Sequence, residues 1–311
     1  MGIPTAQGLA RAMLLEASAS PRLARLAQSH GMRFGAARFV AGVTLDECVA
    51  VLRGLNEEGL YANTTLLGEA VEDRAQAAAV TAQYEEIIGR LAGEGLRANV
   101  ALKLTHLGLL TDEELAYRNI ERLVAHAEGL GSFVRIDMEQ SSCVEATLRI
   151  YRRLREAGHD GVGTVLQAYL YRTRQDLDEL LPLRPNLRIV KGAYLEPPEL
   201  AFPKKRDVDA SYAELVRAGL LGGATIAVAT HDERIIGEVR RFADERGVER
   251  DRFEFQMLYG VRGALQREVA AAGYKVLVAT PYGPDWYPYL VRRLAERPAN
   301  LFFLLRNLAR A

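Results

Sequence analysis

From about residue 60 onward, short apolar runs rich in β-forming residues alternate with longer segments whose apolar positions recur every three or four residues. The runs cover residues 60–66, 99–104, 133–138, 163–169, 187–193, 225–230, 253–258 and 274–280. The segments between them, 112–129 and 142–157 among others, have helical periodicity. Thr111 with Glu114 and Thr173 with Asp176 carry helix-start signals, and Gly129, Gly158 and Gly273 stand where left-handed C-caps are wanted. Eight such units predict an α/β protein, a (β/α)8 TIM-like barrel. An open doubly wound sheet is the alternative, weakened because no G-x-G-x-x-G follows an early strand. Upstream, residues 21–30 and 44–58 read as helices, the second opening on a Thr44/Glu47 capping box. These are expected to cover the barrel's flank or floor, so that 1–58 forms an N-terminal helical segment and 59–311 the catalytic barrel.

Parallel barrel strands are buried, and a charged side chain inside one needs a partner or a chemical task. Yet Lys103, Asp137, Gln167, Lys191, Thr230 with His231, and Gln256 interrupt the predicted strands, mostly toward their C-terminal ends, and Arg188 begins one. That end of a barrel is where active sites sit. Lys103 and Asp137, ending consecutive strands about 4.8 Å apart, are expected to meet and neutralise each other. The five histidines show no H-x-x-x-H spacing, so no metal is expected.

After the last strand, Pro288 is placed at a first helical position. Tyr289, Arg292, Arg293 and Glu296 then share one stripe of a C-terminal helix able to overhang the barrel mouth. Guanidinium forks grip carboxylates, so the pair suggests a small anionic substrate.

Composition adds limits. Lys plus Arg (40) equal Asp plus Glu (40), which argues against nucleic acid as a partner. Cys48 and Cys143 suit buried positions in a reducing, cytoplasmic setting. No leader is expected at the N-terminus, and the longest apolar stretch, 219–230, falls short of the ~20 residues that span a bilayer. These readings reach an α/β-barrel enzyme for a small carboxylate, not its reaction.

Eight segments, taken in order, resemble the bacterial proline dehydrogenases: LLGE (66–69), ALKLTHLG (101–108), RIDME (135–139), QAYLYRT (167–173), RIVKGAY (188–194), ATHD (229–232), FEFQMLYG (253–260) and YPYLVRRLAERPAN (287–300). The likeness runs from about Arg38 to Arg306 and is to the monofunctional form. It implies noncovalent FAD at the C-terminal face, oxidation of L-proline to Δ1-pyrroline-5-carboxylate, and a membrane quinone as electron acceptor. Peripheral contact with the inner face of the membrane and transfer of product to a pyrroline-5-carboxylate dehydrogenase partner would accompany that role.

The resemblance also implies residue roles. Arg292 and Arg293 would hold the carboxylate, Tyr289 and Tyr194 would line the pocket, and Lys103, paired with Asp137, would lie beside the substrate. Arg188 would sit near flavin N5 and Gln167 on the flavin ring. Lys191, Gly192, Thr230 and His231 would hold the rest of the cofactor, with Leu258 against the isoalloxazine. Glu69 would close the site as an ion pair with Arg292. Two positions depart from the family: Ala279 stands where a tyrosine is usual, which implies tolerance of 4-hydroxyproline, and Thr65 replaces an aspartate. Two other classes stay open on the residues alone. One is a Schiff-base aldolase using Lys103 or Lys191; the other is a non-catalytic amino-acid-binding barrel.

Overall fold

The computed structural model describes residues 38–290. The helix expected at 21–30 and both Arg292 and Arg293 lie outside the described residues. The first described helix, α1 (Leu45–Glu57), begins as its sequence requires: the Thr44 side chain accepts from Glu47 N while the Glu47 carboxylate reaches back to Thr44 N. It buries Cys48, Val49 and Leu52 against the outside of the barrel, packed across its first and last strands. It therefore covers the flank and is continuous with the barrel's core.

Eight parallel strands close the barrel in sequential order. They are β1 (Tyr61–Leu66), β2 (Ala98–Leu102), β3 (Val134–Ile136), β4 (Val162–Gln167), β5 (Asn186–Val190), β6 (Thr225–Ala229), β7 (Phe253–Leu258) and β8 (Val276–Tyr282). The open sheet is excluded, because β1 pairs with β8 as well as with β2. Between strands run α2 (Arg74–Gly93), α3 (Glu113–Gly129), α4 (Ser141–Glu156), α5 (Thr173–Leu180), α6 (Lys205–Leu221), α7 (Glu233–Arg246) and α8 (Gly263–Ala271).

Local chemistry revises three helix ends. α3 is capped by Asp112, whose carboxylate accepts from Glu114 N and Leu115 N, while Thr111 donates to the Glu72 carbonyl. A carboxylate one residue closer to the helix outcompetes the hydroxyl. Thr173 is the first residue of α5, and its hydroxyl donates to Gln167 O at 2.6 Å, fastening the helix to the end of β4. α3 continues through Gly129, and Gly131 takes the left-handed conformation; Gly158 and Gly273 take it as expected.

Helix resumes at residue 286, so Pro288 sits third in its first turn, where the missing N–H is still harmless. Trp286 and Leu290 pack there with Phe39, Val40 and Leu67, the residue just past β1. The final helix thus begins over the barrel's C-terminal rim. Among the described residues no helix is long and apolar enough to cross a membrane.

Candidate active site

The lumen of this barrel is polar at its centre. Arg188 on β5 donates to Gln256 Oε1 on β7 at 3.2 Å and reaches Asn63 Oδ1 on β1 at 3.5 Å. In a ring of eight, β1 lies opposite β5, so this contact crosses the lumen. Asn63 is bonded in turn to Asn99 on β2. The other guanidinium nitrogen of Arg188 forms an ion pair with Asp137, just past β3. A buried cation is tolerable with such neighbours.

The structure gives Lys103 and Asp137 different partners from the expected mutual pair. The Lys103 ammonium is paired with Glu69, on the loop after β1, and the Asp137 carboxylate with Arg188. Both still stand at the rim, at the ends of β2 and β3. The reason is reach: Arg188 projects across the lumen to Asp137, and the Glu69 loop folds over the end of β2. That loop is anchored by Thr105, whose hydroxyl accepts from Ala70 N at 3.2 Å and whose carbonyl accepts from Val71 N at 3.1 Å.

Thr105 is itself held by Glu139, a buried carboxylate that accepts from its backbone N at 3.1 Å and from its hydroxyl at 2.6 Å. Burial pushes the Glu139 carboxyl up, opposed by those two hydrogen bonds. The Glu139 carbonyl accepts from Gln167 Nε2 at 2.8 Å, tying the ends of β3 and β4 together. Beside Thr105, His106 is 7% exposed, edge-on to Tyr84 and against the Gly68 backbone. Burial, and then the Lys103 charge, push it down to about 4. Sequence alone gives Glu139 and His106 no role; the signal for Glu139 is an acid two residues past Asp137, within RIDME.

Around the rest of the rim, Lys191 pairs with Asp209 of α6. Gly192 has φ +111, and its bare backbone lies against the Tyr169 ring, where a side chain would collide. Thr230 is buried and caps its own loop by accepting from Asp232 N at 3.1 Å. His231 Nε2 accepts from Leu258 N at 2.9 Å, which orients the imidazole toward β7. Ala279 registers between Leu258 on β7 and Asn63 on β1, so it shares the lumen-facing direction of Asn63. Tyr194 and Tyr289 are half-buried. Lys103, Asp137, Gln167, Arg188, Leu258 and Ala279 thus belong to one mouth.

That mouth can hold an acceptor-rich aromatic cofactor. Arg188 Nε is buried with no hydrogen-bond partner, while both terminal nitrogens of the same guanidinium are bonded. A buried donor costs free energy until an acceptor meets it. A flavin, with ring nitrogens and carbonyls along one edge, fits such a donor.

A closed barrel with charges at its C-terminal face defines the class: a TIM-barrel enzyme whose site is built by the strand ends. The proline dehydrogenase family profile matches residues 48–306. Proline dehydrogenase 1 of Bacillus subtilis (strain 168) is 41% identical over 298 residues, covering 96% of this chain and 98% of its own. Proline dehydrogenase of Deinococcus radiodurans is 41% identical over 304 residues, covering 96% and 98%. The chain belongs to the proline dehydrogenase family. The crystal structure of proline utilization A from Bdellovibrio bacteriovorus, inactivated by N-propargylglycine, superposes with a TM-score of 0.80 over 93% of this chain and 37% of that one. At 23% identity it supports the fold alone.

Proposed function

We propose that the protein oxidises L-proline to Δ1-pyrroline-5-carboxylate with FAD held at the barrel mouth, and that a membrane quinone reoxidises the flavin. The observation that carries this is the rim of β2, β3 and β5. There a fixed ammonium, a fixed carboxylate and a guanidinium with an unmet donor stand together in a member of this family. Bound FAD supplies the two-electron acceptor for the hydrogen leaving the carbon beside the ring nitrogen.

The protein's own groups do the rest. Arg188, oriented by Asp137 and Gln256, offers positive charge where negative charge develops on reduction. Gln167, fixed by the Glu139 carbonyl, contacts the ring. Lys191, Gly192, Thr230 and His231 border the ribityl, phosphate and adenine portions, and Leu258 packs on the isoalloxazine. Lys103 lies beside the substrate, whose carboxylate Arg292 and Arg293 hold, with Tyr289 and Tyr194 as walls. Glu69 closes the site through Arg292, and in the present structure it also steadies Lys103. Proton loss from the proline nitrogen is favoured in a dry site with these fixed charges.

The Schiff-base alternative finds no support in the family. Lys103 and Lys191 are each paired to a carboxylate, an arrangement suited to an ammonium rather than a nucleophilic amine. For the quinone and peripheral membrane contact, the supporting feature is exposed apolar surface on loops leaving β4 and β5: Tyr171, Leu195 and Leu200. Transfer of product to a partner dehydrogenase is suggested by the Bifunctional protein PutA of Escherichia coli. That protein matches 88% of this chain at 28% identity over only 24% of its own length. The test is the visible spectrum of the purified protein before and after anaerobic L-proline. A flavin band that bleaches is expected; a colourless protein, or a band unmoved by proline, overturns the reading.

A further inference from the structure

Beneath the rim lies a second arginine that this chemistry does not use. Arg135 is 3% exposed and sits on β3 two residues before Asp137, so it faces the same lumen about 7 Å lower along the strand. Its guanidinium donates to Thr164 O at 3.1 Å, Asn186 O at 2.9 Å and Asn186 Oδ1 at 2.6 Å. All three acceptors are neutral, and among the described residues no carboxylate forms an ion pair with it. The other charges of the lumen are matched: Arg188 with Asp137, and Lys275 with Glu254.

The sequence makes room for this charge without an ion-pair partner. Gly163 on β4 registers opposite Arg135, and a Cβ there would collide with its Nη1. The price is visible in burial, which with the Arg188 charge pushes Arg135 down to about 10, still cationic at neutral pH. The face of the Phe133 ring, 4.9 Å away, and the Glu254 and Asp137 carboxylates beyond hydrogen-bond reach offset only part of that cost, and a buried cation with no ion-pair partner needs a reason. A brace between β4 and β5 could be made by a neutral amide at lower cost. What a neutral group could not supply is field along the lumen, which points at the site above Arg188.

We infer that Arg135 is a positioning charge: it raises the reduction potential of the flavin at the barrel mouth by favouring the anionic reduced ring over the neutral oxidised one. This rests on the proposed FAD site. The charge acts through space and through Arg188, without touching cofactor or substrate. One charge acting over one to two layers of the barrel at an effective dielectric of about 20 is worth roughly tenfold in the reduction equilibrium. For a two-electron couple that is about 30 mV.

The experiment is the midpoint potential of the flavin, read by equilibration with a redox dye in the purified holoenzyme without proline. Arg135→Met is expected to lower it by about 30 mV, and Arg135→Lys to keep it near the wild-type value. Asn186→Asp changes no heavy-atom shape but places a carboxylate on the guanidinium, and it is expected to lower the potential as Arg135→Met does. It decides the matter alone if Arg135→Met does not fold. A purely structural brace predicts lost stability in Arg135→Met and an unmoved potential in Asn186→Asp, and that result overturns the inference. A wild-type protein without flavin overturns the FAD reading itself.

Discussion

His106 shows how one side chain couples the rim to pH. It is buried against Gly68 and Tyr84 with its Nδ1 unpartnered, and its proton affinity is pushed down to about 4 from an ordinary value of 6.5. Between those values the unfolded chain binds a proton that the folded chain refuses. Stability is therefore full above pH 6.5 and is lost as pH falls toward 4, by up to about 3 kcal/mol for this group. In His106→Phe, melting temperatures measured across that window should lose this part of the acid slope. A slope equal to wild type would assign the acid sensitivity elsewhere. Ala279 carries the other residue-scale prediction. It faces the lumen beside Leu258, and with proline bound at the mouth as proposed a methyl there would leave space beside the substrate ring. Ala279→Tyr should raise the ratio of kcat/KM for L-proline over 4-hydroxyproline by roughly tenfold, the scale of a filled apolar contact. Equal ratios in both proteins would remove Ala279 from substrate selection.

At the scale of elements, α1 closes the seam between β8 and β1. Its capping box satisfies two backbone donors at once. Thr44→Ala should cost about 1 kcal/mol, seen as a fall of roughly 2 °C in the melting temperature; no change would show that the helix start is held by packing alone. Elements of this kind were legible in the sequence because their causes are local. Parallel strands buried on both faces read as apolar runs, and all eight lie within a few residues of expectation. Their ends were read long where polar residues leave the ladder, as at β3, which stops at Ile136 before Asp137 turns into the mouth. Cap choice failed where two groups compete within one residue, as Thr111 and Asp112 do. Partner choice failed for a different reason. Arg188 and Asn63 are 125 residues apart and meet only because the barrel closes. Residue types at strand ends reveal that a polar mouth exists; which charge pairs with which depends on side-chain reach across a lumen that no spacing encodes. Arg135 went unread for the same cause, since its meaning depends on Gly163 and Asn186 on neighbouring strands.

For the whole molecule, the site and the closed ring are one object. Its groups come from the loop after β1, the ends of β2, β3 and β4, the body of β5, and the facing positions of β7 and β8. No subset of strands can assemble it, so a ligand that bridges the mouth binds only the folded barrel and stabilises it by mass action. At a thousandfold excess over Kd that linkage is worth about 4 kcal/mol. Spread over a barrel of this size, it corresponds to a rise in melting temperature of roughly 6 °C. With FAD at the mouth as proposed, stripping it should lower the melting temperature by that order, and adding it back should restore it in a single transition. A stripped protein that melts at the holoenzyme temperature would mean that the cofactor contacts too few strands to report closure. The site would then have to lie off the mouth that Lys103, Asp137 and Arg188 define.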